Sequence, residues 1–182
     1  MPDSTTLTYA TFFDRLIARI IDVAIISLPL MMLMLYAIVF LRSLPLALAC
    51  LVAEAIYKPA LEVNSGQTIG KRIRKIRVVS QNDKGDIDVN QGMMRFLPWA
   101  AIVFASAFTL IRHFQAPEFA DVDSIESYLL FSREHVLGEN FIIAMINYLP
   151  LFSVMWIFSD PMRRALHDRI AGTVVVKEEV VF

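Results

Sequence analysis

From Val23 to Leu41 the chain runs for 19 residues without a charged side chain. As a helix this stretch would be about 28 Å long, close to the thickness of a bilayer's hydrocarbon core. Nothing else in the sequence restricts the fold as strongly, because the backbone of such a segment can satisfy its polar groups in lipid only by closing them into a helix. Over the whole chain 57% of residues are hydrophobic and 19% charged, with a mean hydropathy of +0.56, too apolar to cover a water-soluble globule. The start MPDSTTLTYATFFD has no basic region, and the apolar run behind it is too long for a cleaved signal, so the first segment is expected to stay in the mature protein.

Three more runs follow. After Arg42 and Ser43 comes LPLALACLVAEAIYK, which carries Glu54 and reaches spanning length with Lys58 to Glu62 as an interfacial end. Phe96 to Ile111 and Phe141 to Ser159 are uncharged. The spans are thus expected at about 17–41, 44–62, 96–111 and 141–159. They give an all-α membrane protein, a four-helix bundle in one domain over 1–182, with a small β element. Pro29 and Pro150 fall inside helices and predict kinks.

Charge sets the orientation. Between Lys58 and Arg95 there are eight basic residues and four acids, and between Arg112 and Asn140 two basic and six acids. By the positive-inside rule the loop 58–95 and both ends of the chain are expected in the cytoplasm and the loop 112–140 outside. The net charge of −1 lacks the basic field of a nucleic-acid binder. The single cysteine, Cys50, rules out an intrachain disulfide or a thiolate metal cluster, and no cofactor or metal is expected.

Within the middle loop, Ile69, Ile73 and Ile76 recur at helical spacing among basic residues, which predicts an amphipathic helix on anionic headgroups. Arg77 to Ser80 reads as a strand, with Asp86 to Val89 a possible return strand after the NDKG turn. TVVV, Thr173 to Val176, is β-like and is expected to pair with RVVS. On the outer side Val122, Ile125, Tyr128 and Leu129 fit an amphipathic helix, and a disordered acidic loop fits almost as well.

Polar groups in apolar runs are the functional candidates. Arg15, Arg19 and Asp22 share one helix face, which makes the arginines the nearest expected partners of the carboxylate, Arg19 the closer; Arg15, about two turns away, is expected to reach Asp168 or a backbone carbonyl instead, and the alternative is a neutralised helix entrance that only sets orientation. Glu54 has Lys58 one turn later, as a snorkelling pair or a pathway residue. Asn147 suits a bond between helices. In DPMRRALHDRIAG, Asp160 reads as an N-cap and Gly172 as the terminator of a helix carrying His167 and Asp168, with Arg164 placed to reach Asp168. No serine or cysteine is evidently placed to complete a triad there, so an enzyme is not expected. SGQTIGKR is too short between its glycines for a phosphate loop and has Arg72 where Ser or Thr is needed.

RLIARIID, SGQTIGKRIRKIRVV and LHDRIAGTVVV, in that order, resemble the RDD family of bacterial membrane proteins. The family's arginine matches Arg15, its first aspartate Asp22 and its second Asp168, in the pair with His167 and ahead of Gly172. The GQTxGK stretch matches Gly66, Gln67, Thr68, Gly70 and Lys71. The resemblance implies a multi-pass inner-membrane protein, and for some members sodium/proton exchange or transport. Two functions follow as expectations. One is a small cation or solute transporter, with Asp22 and Glu54 as ion sites tuned by Arg15 and Arg19, in a homo-oligomer. The other is a non-transporting module whose basic cytoplasmic face docks lipid or a partner protein.

Overall fold

The computed structural model describes residues 8–137 and 140–178. Four helices are long and apolar enough to cross a membrane: Phe12–Val39, Leu44–Ser65, Val89–Gln115 and Phe141–Ser159. The first is built from α1 (Phe12–Asp22), a π-helical turn (Val23–Ser27) and α2 (Leu28–Val39). The others are α3 (Leu44–Ser65), α5 (Val89–Gln115) and α7 (Phe141–Ser159). Short elements lie between them: α4 (Ile69–Ile73), β1 (Ile76–Ser80), a 3-10 turn (Pro117–Asp121), α6 (Ile125–Glu134), α8 (Leu166–Ile170) and β2 (Thr173–Lys177). The all-α membrane architecture is as the sequence predicts, with a single two-stranded sheet among the described residues.

The spans run further than the uncharged stretches mark. α3 continues to Ser65 and α5 starts at Val89, so the connection between them shortens from 58–95 to 66–88. Helix ends beyond the apolar run carry charge, which hides them in a sequence. Pro59, Pro98 and Pro150 lie inside helices, whereas before Pro29 the helix widens into the π turn. Proline lacks the N–H of a normal helix repeat, and a π turn is one way of absorbing the mismatch.

The chain divides into two units. One takes the residues up to Ala24, Lys58–Leu97 and the chain from Leu151 onward; the other takes Ile25–Tyr57 and Pro98–Pro150. In the first unit α1 is amphipathic in the reverse sense to a helix of a soluble protein. Asp14, Ala18 and Asp22, at four-residue spacing, are buried, while Phe13, Leu16, Ile17 and Ile20 are exposed. Polar groups inward and apolar groups outward suit a lipid surround. Its start is fixed by a capping box: Asp14 N donates to Thr11 Oγ1 (3.2 Å) and Thr11 N to Asp14 Oδ2 (3.0 Å).

β1 and β2 pair antiparallel with Arg77 opposite Val176, Val78 opposite Val175, Val79 opposite Val174 and Ser80 opposite Thr173, the pairing the β-branched runs predict. Ile76, Val78 and Val175 pack with Ala10, Ala18 and Ile87; Val79, Val174 and Val176 pack with Tyr9 and Met162.

Three local expectations are corrected here. The basic amphipathic helix over Ile69, Ile73 and Ile76 is only α4, because Ile76 turns inward as the first residue of β1. Asp86 to Val89 is not a strand. Asp88 Oδ1 accepts from Gln91 N (2.6 Å) while Gln91 Oε1 accepts from Asp88 N (3.2 Å), a reciprocal cap that starts α5 at Val89. The helix expected from Asp160 begins only after Ala165, because Arg163 takes a positive φ of 51° and breaks the turn.

In the second unit Ala37, Ile38, Val39, Ala47, Leu110, Phe119, Val122 and Tyr128 form the core. Arg42 (φ 48°) donates to the carbonyls of Phe119 (2.6 Å) and Val122 and lies 4.7 Å from the Phe119 ring centroid. These bonds satisfy carbonyls that the 3-10 turn leaves open. Of the two readings of the 112–140 region the structure has the helix, α6, capped reciprocally by Ser124 and Ser127.

Candidate functional site

The first unit buries a continuous chain of ion pairs. Lys71 Nζ donates to Glu62 Oε1 (2.5 Å), and Arg95 Nε donates to Glu62 Oε2 (2.9 Å). The Arg95 guanidinium also binds Asp168 and donates to Thr173 Oγ1 (2.5 Å). Arg15 binds the other oxygen of Asp168 and donates through Nη2 to the Arg163 carbonyl (2.6 Å). Glu62, Arg95 and Asp168 are 1%, 2% and 0% exposed. Ion pairs so deep in the molecule hold only when nearly every lone pair has a donor, and here Asp168 takes a further bond from Ala165 N (3.0 Å).

Burial alone would raise the Asp168 carboxyl, but Arg95 and Arg15 outweigh it and hold the group well below the usual carboxylate range. Burial pushes the neighbouring His167 imidazole well down, against the opposing pull of Asp168, so His167 is neutral. Its Nδ1 lies 2.9 Å from Ser153 Oγ.

Asp22 has a separate setting. Its Oδ2 accepts from Thr68 Oγ1 (2.6 Å) and its Oδ1 from Gly70 N (2.7 Å). Arg15, as its two-turn separation from Asp22 predicts, instead reaches Asp168 and the Arg163 carbonyl. A side chain seven residues on is about 10 Å along the helix axis, whereas the first turn of α4 offers donors directly. Arg19 is exposed on α1.

This geometry explains the GQTxGK spacing. Thr68 caps α4 and also donates to Asp22, and Gly70 lies so close to α1 that a Cβ there would stand 2.0 Å from the Ala18 carbonyl oxygen. Gly66 turns the chain at φ 70°, and Gln67 Nε2 donates to the Ile76 carbonyl (3.1 Å). Lys71 then points to Glu62. Gly172, at φ 62°, closes α8 before β2.

Glu54 belongs to the second unit and takes no part in this chain of pairs. Arg164 binds Asp160 (2.8 Å), not Asp168, because the break at Arg163 removes the helical spacing. Sequence reasoning missed Glu62 and Arg95, treating both as interfacial charges. Their signal is a lone charge within an apolar helical stretch, LEV and MRFL, on a helix longer than its uncharged run. It also missed Ser153 beside His167. The three do not make a catalytic triad: His167 Nε2 is 3.5 Å from Asp168 Oδ1, beyond a good hydrogen bond, and both Asp168 oxygens are engaged by arginines. Among the described residues no cluster of three or more His, Cys, Asp or Glu is placed to hold a metal ion.

Four apolar helices of spanning length, with a lipid-directed α1 and a buried polar cluster, define a multi-pass membrane protein. The RDD family model matches residues 9–172, nearly the whole chain, and the chain belongs to the RDD family. No match is found among curated proteins or solved structures.

Proposed function

We propose that the chain is a non-catalytic module of the bacterial inner membrane whose first unit docks anionic phospholipid headgroups from the cytoplasmic side. The observation behind this reading is the outer surface of that unit, where Ile69 and Ile73 of α4 and Ile170 of α8 are exposed among the exposed Arg72, Lys75 and Arg169. Apolar side chains that enter the interface beside cations that pair with phosphate are the chemistry of an anionic leaflet. The surplus of basic residues on this unit favours its cytoplasmic placement, together with both ends of the chain.

The buried ion pairs then act as the lock that keeps this surface in shape. Asp22, Glu62 and Asp168 each accept donors on both oxygens, so a cation entering there must displace them. Native mass spectrometry of protein extracted from mixed phosphatidylcholine and phosphatidylglycerol vesicles tests the docking. Phosphatidylglycerol adducts are expected to predominate and to fall in the Arg72→Gln/Lys75→Gln/Arg169→Gln variant. Equal retention of both lipids by the wild type refutes it.

Cation exchange by a homo-oligomer is the second reading, favoured by ionisable groups buried at membrane-spanning helices. Sodium or proton flux in proteoliposomes that is lost in Asp22→Asn or Glu54→Gln would replace the docking reading with this one.

A further inference from the structure

The second unit carries a titratable pair that neither lipid docking nor ion exchange uses. His113, on α5, is 1% exposed, and the rings of Tyr128, Phe131 and His135 on or just after α6 lie against it with centroids 5.8, 5.1 and 4.9 Å away. Its Nδ1 is 3.2 Å from the Tyr128 hydroxyl. Its Nε2 is buried with no hydrogen-bond partner among the described residues, and so is Thr109 Oγ1, one turn earlier on α5. His135 Nδ1 accepts the Leu137 N–H (3.3 Å), which fixes the turn that ends α6.

We propose that His113, packed against His135, is a proton-operated latch that holds α6 on α5 when its ring is neutral and releases it on acidification. A proton added to His113 would place a full charge among three rings, next to a second imidazole and with no acceptor for Nε2–H.

Among the described residues no carboxylate forms an ion pair with His113. From α6 the titratable groups facing His113 are Tyr128 and His135, and burial pushes the Tyr128 phenol up to about 12, so it stays neutral. The 3-10 turn joins the cluster through Phe119, whose ring lies 6.4 Å from that of Tyr128 and carries the cationic Arg42. Glu118 and Asp121 of that turn, and Glu126 and Glu134 of α6, are exposed. The two partnerless polar atoms on α5 are a cost of the closed packing, and opening would expose both to water.

Hydrogen exchange of the full chain in nanodiscs, with rates normalised to intrinsic exchange at each pH, reads the latch directly. If the His113 imidazole takes up a proton only in the open form, where it titrates at about 6.5, the opening constant rises about thirtyfold between pH 7.5 and pH 5. Amides of Ser124–His135 are therefore expected to lose protection by about that factor, while β1 and β2 change less. His113→Gln/His135→Gln is expected to keep its pH 7.5 protection at pH 5. His135→Gln alone, at the less buried ring, is expected to lower the response if the double variant does not fold. A wild-type α6 whose protection is independent of pH, or a variant that loses protection to the same extent, overturns the proposal.

Discussion

Arg95→Met is the sharpest test of the buried ion-pair chain. Met keeps most of the apolar length of Arg95 and removes the guanidinium that joins Glu62 to Asp168 and binds Thr173 Oγ1 at 2.5 Å. Removing one partner of a buried pair costs about 3–5 kcal/mol, because a charge is left uncompensated. Here neither carboxylate is stripped entirely: Glu62 keeps Lys71 and Asp168 keeps Arg15. The loss should therefore fall at the lower end, about 3 kcal/mol, with about 1 kcal/mol more for the Thr173 hydroxyl. Adding Asp168→Asn to Arg95→Met removes a charge that has lost a partner, so the double variant is expected to cost at least about 1 kcal/mol less than the sum of the singles. Unfolding in mixed micelles, followed by circular dichroism for the four proteins of the cycle, measures this. Additivity within about 0.5 kcal/mol would show that the two residues do not act through one another and would refute the chain as a coupled unit.

Gly70→Ala should destabilise by about 1–3 kcal/mol, read by the same unfolding assay, because a Cβ would meet the Ala18 carbonyl at 2.0 Å and push α4 off Asp22. Arg42→Ala removes donors from the Phe119 and Val122 carbonyls and should cost about 1–3 kcal/mol, with faster hydrogen exchange confined to residues 117–122. Acidification should lower stability through two groups of the first unit. His167, held neutral, stabilises above about pH 6.5 and loses that contribution as pH falls below it, and Asp168, held ionised, does so below about pH 4. A melting temperature that rises from pH 7 to pH 4 contradicts the His167 sign and one that rises below pH 4 the Asp168 sign, and His167→Gln is expected to flatten the upper part of the curve.

The spans could be read from the sequence because an uncharged run of 19 residues has few other folds open to it. The sheet was legible for a related reason: RVVS and TVVV are β-branched and short, and each needs a partner. Glu62 and Arg95 were not, because a charge at the edge of an apolar stretch reads equally as a loop residue or as a buried pair. Which it is depends on how far the helix continues, and the caps that decide it, such as Asp88 with Gln91, look like ordinary loop composition. Likewise Ile69, Ile73 and Ile76 keep helical period across a boundary where the chain changes to a strand, so periodicity overran the element by three residues.

The three sequence motifs lie far apart in the chain yet build one structure, and the reason is electrostatic. α1 turns Arg15 and Asp22 inward, away from its exposed apolar face. Each must then find its complement within the same unit, because lipid offers none. Asp22 is met by the N-terminal turn of α4, which the Thr68 and Gly70 positions supply. Arg15 is met by Asp168, which α8 presents at its buried side. Without Arg95 between them, Asp168 and Glu62 would each lose one partner and stand as like charges in one buried site, which is why the arginine outside the three motifs is as necessary to the arrangement as those within them. On this account Arg95→Lys cannot substitute for the wild type. A single ammonium lacks the fork that reaches Glu62, Asp168 and Thr173 together, so the variant should be less stable by about 1–3 kcal/mol despite its unchanged charge. Full stability of Arg95→Lys in the micelle unfolding assay would reduce the residue's role to charge alone.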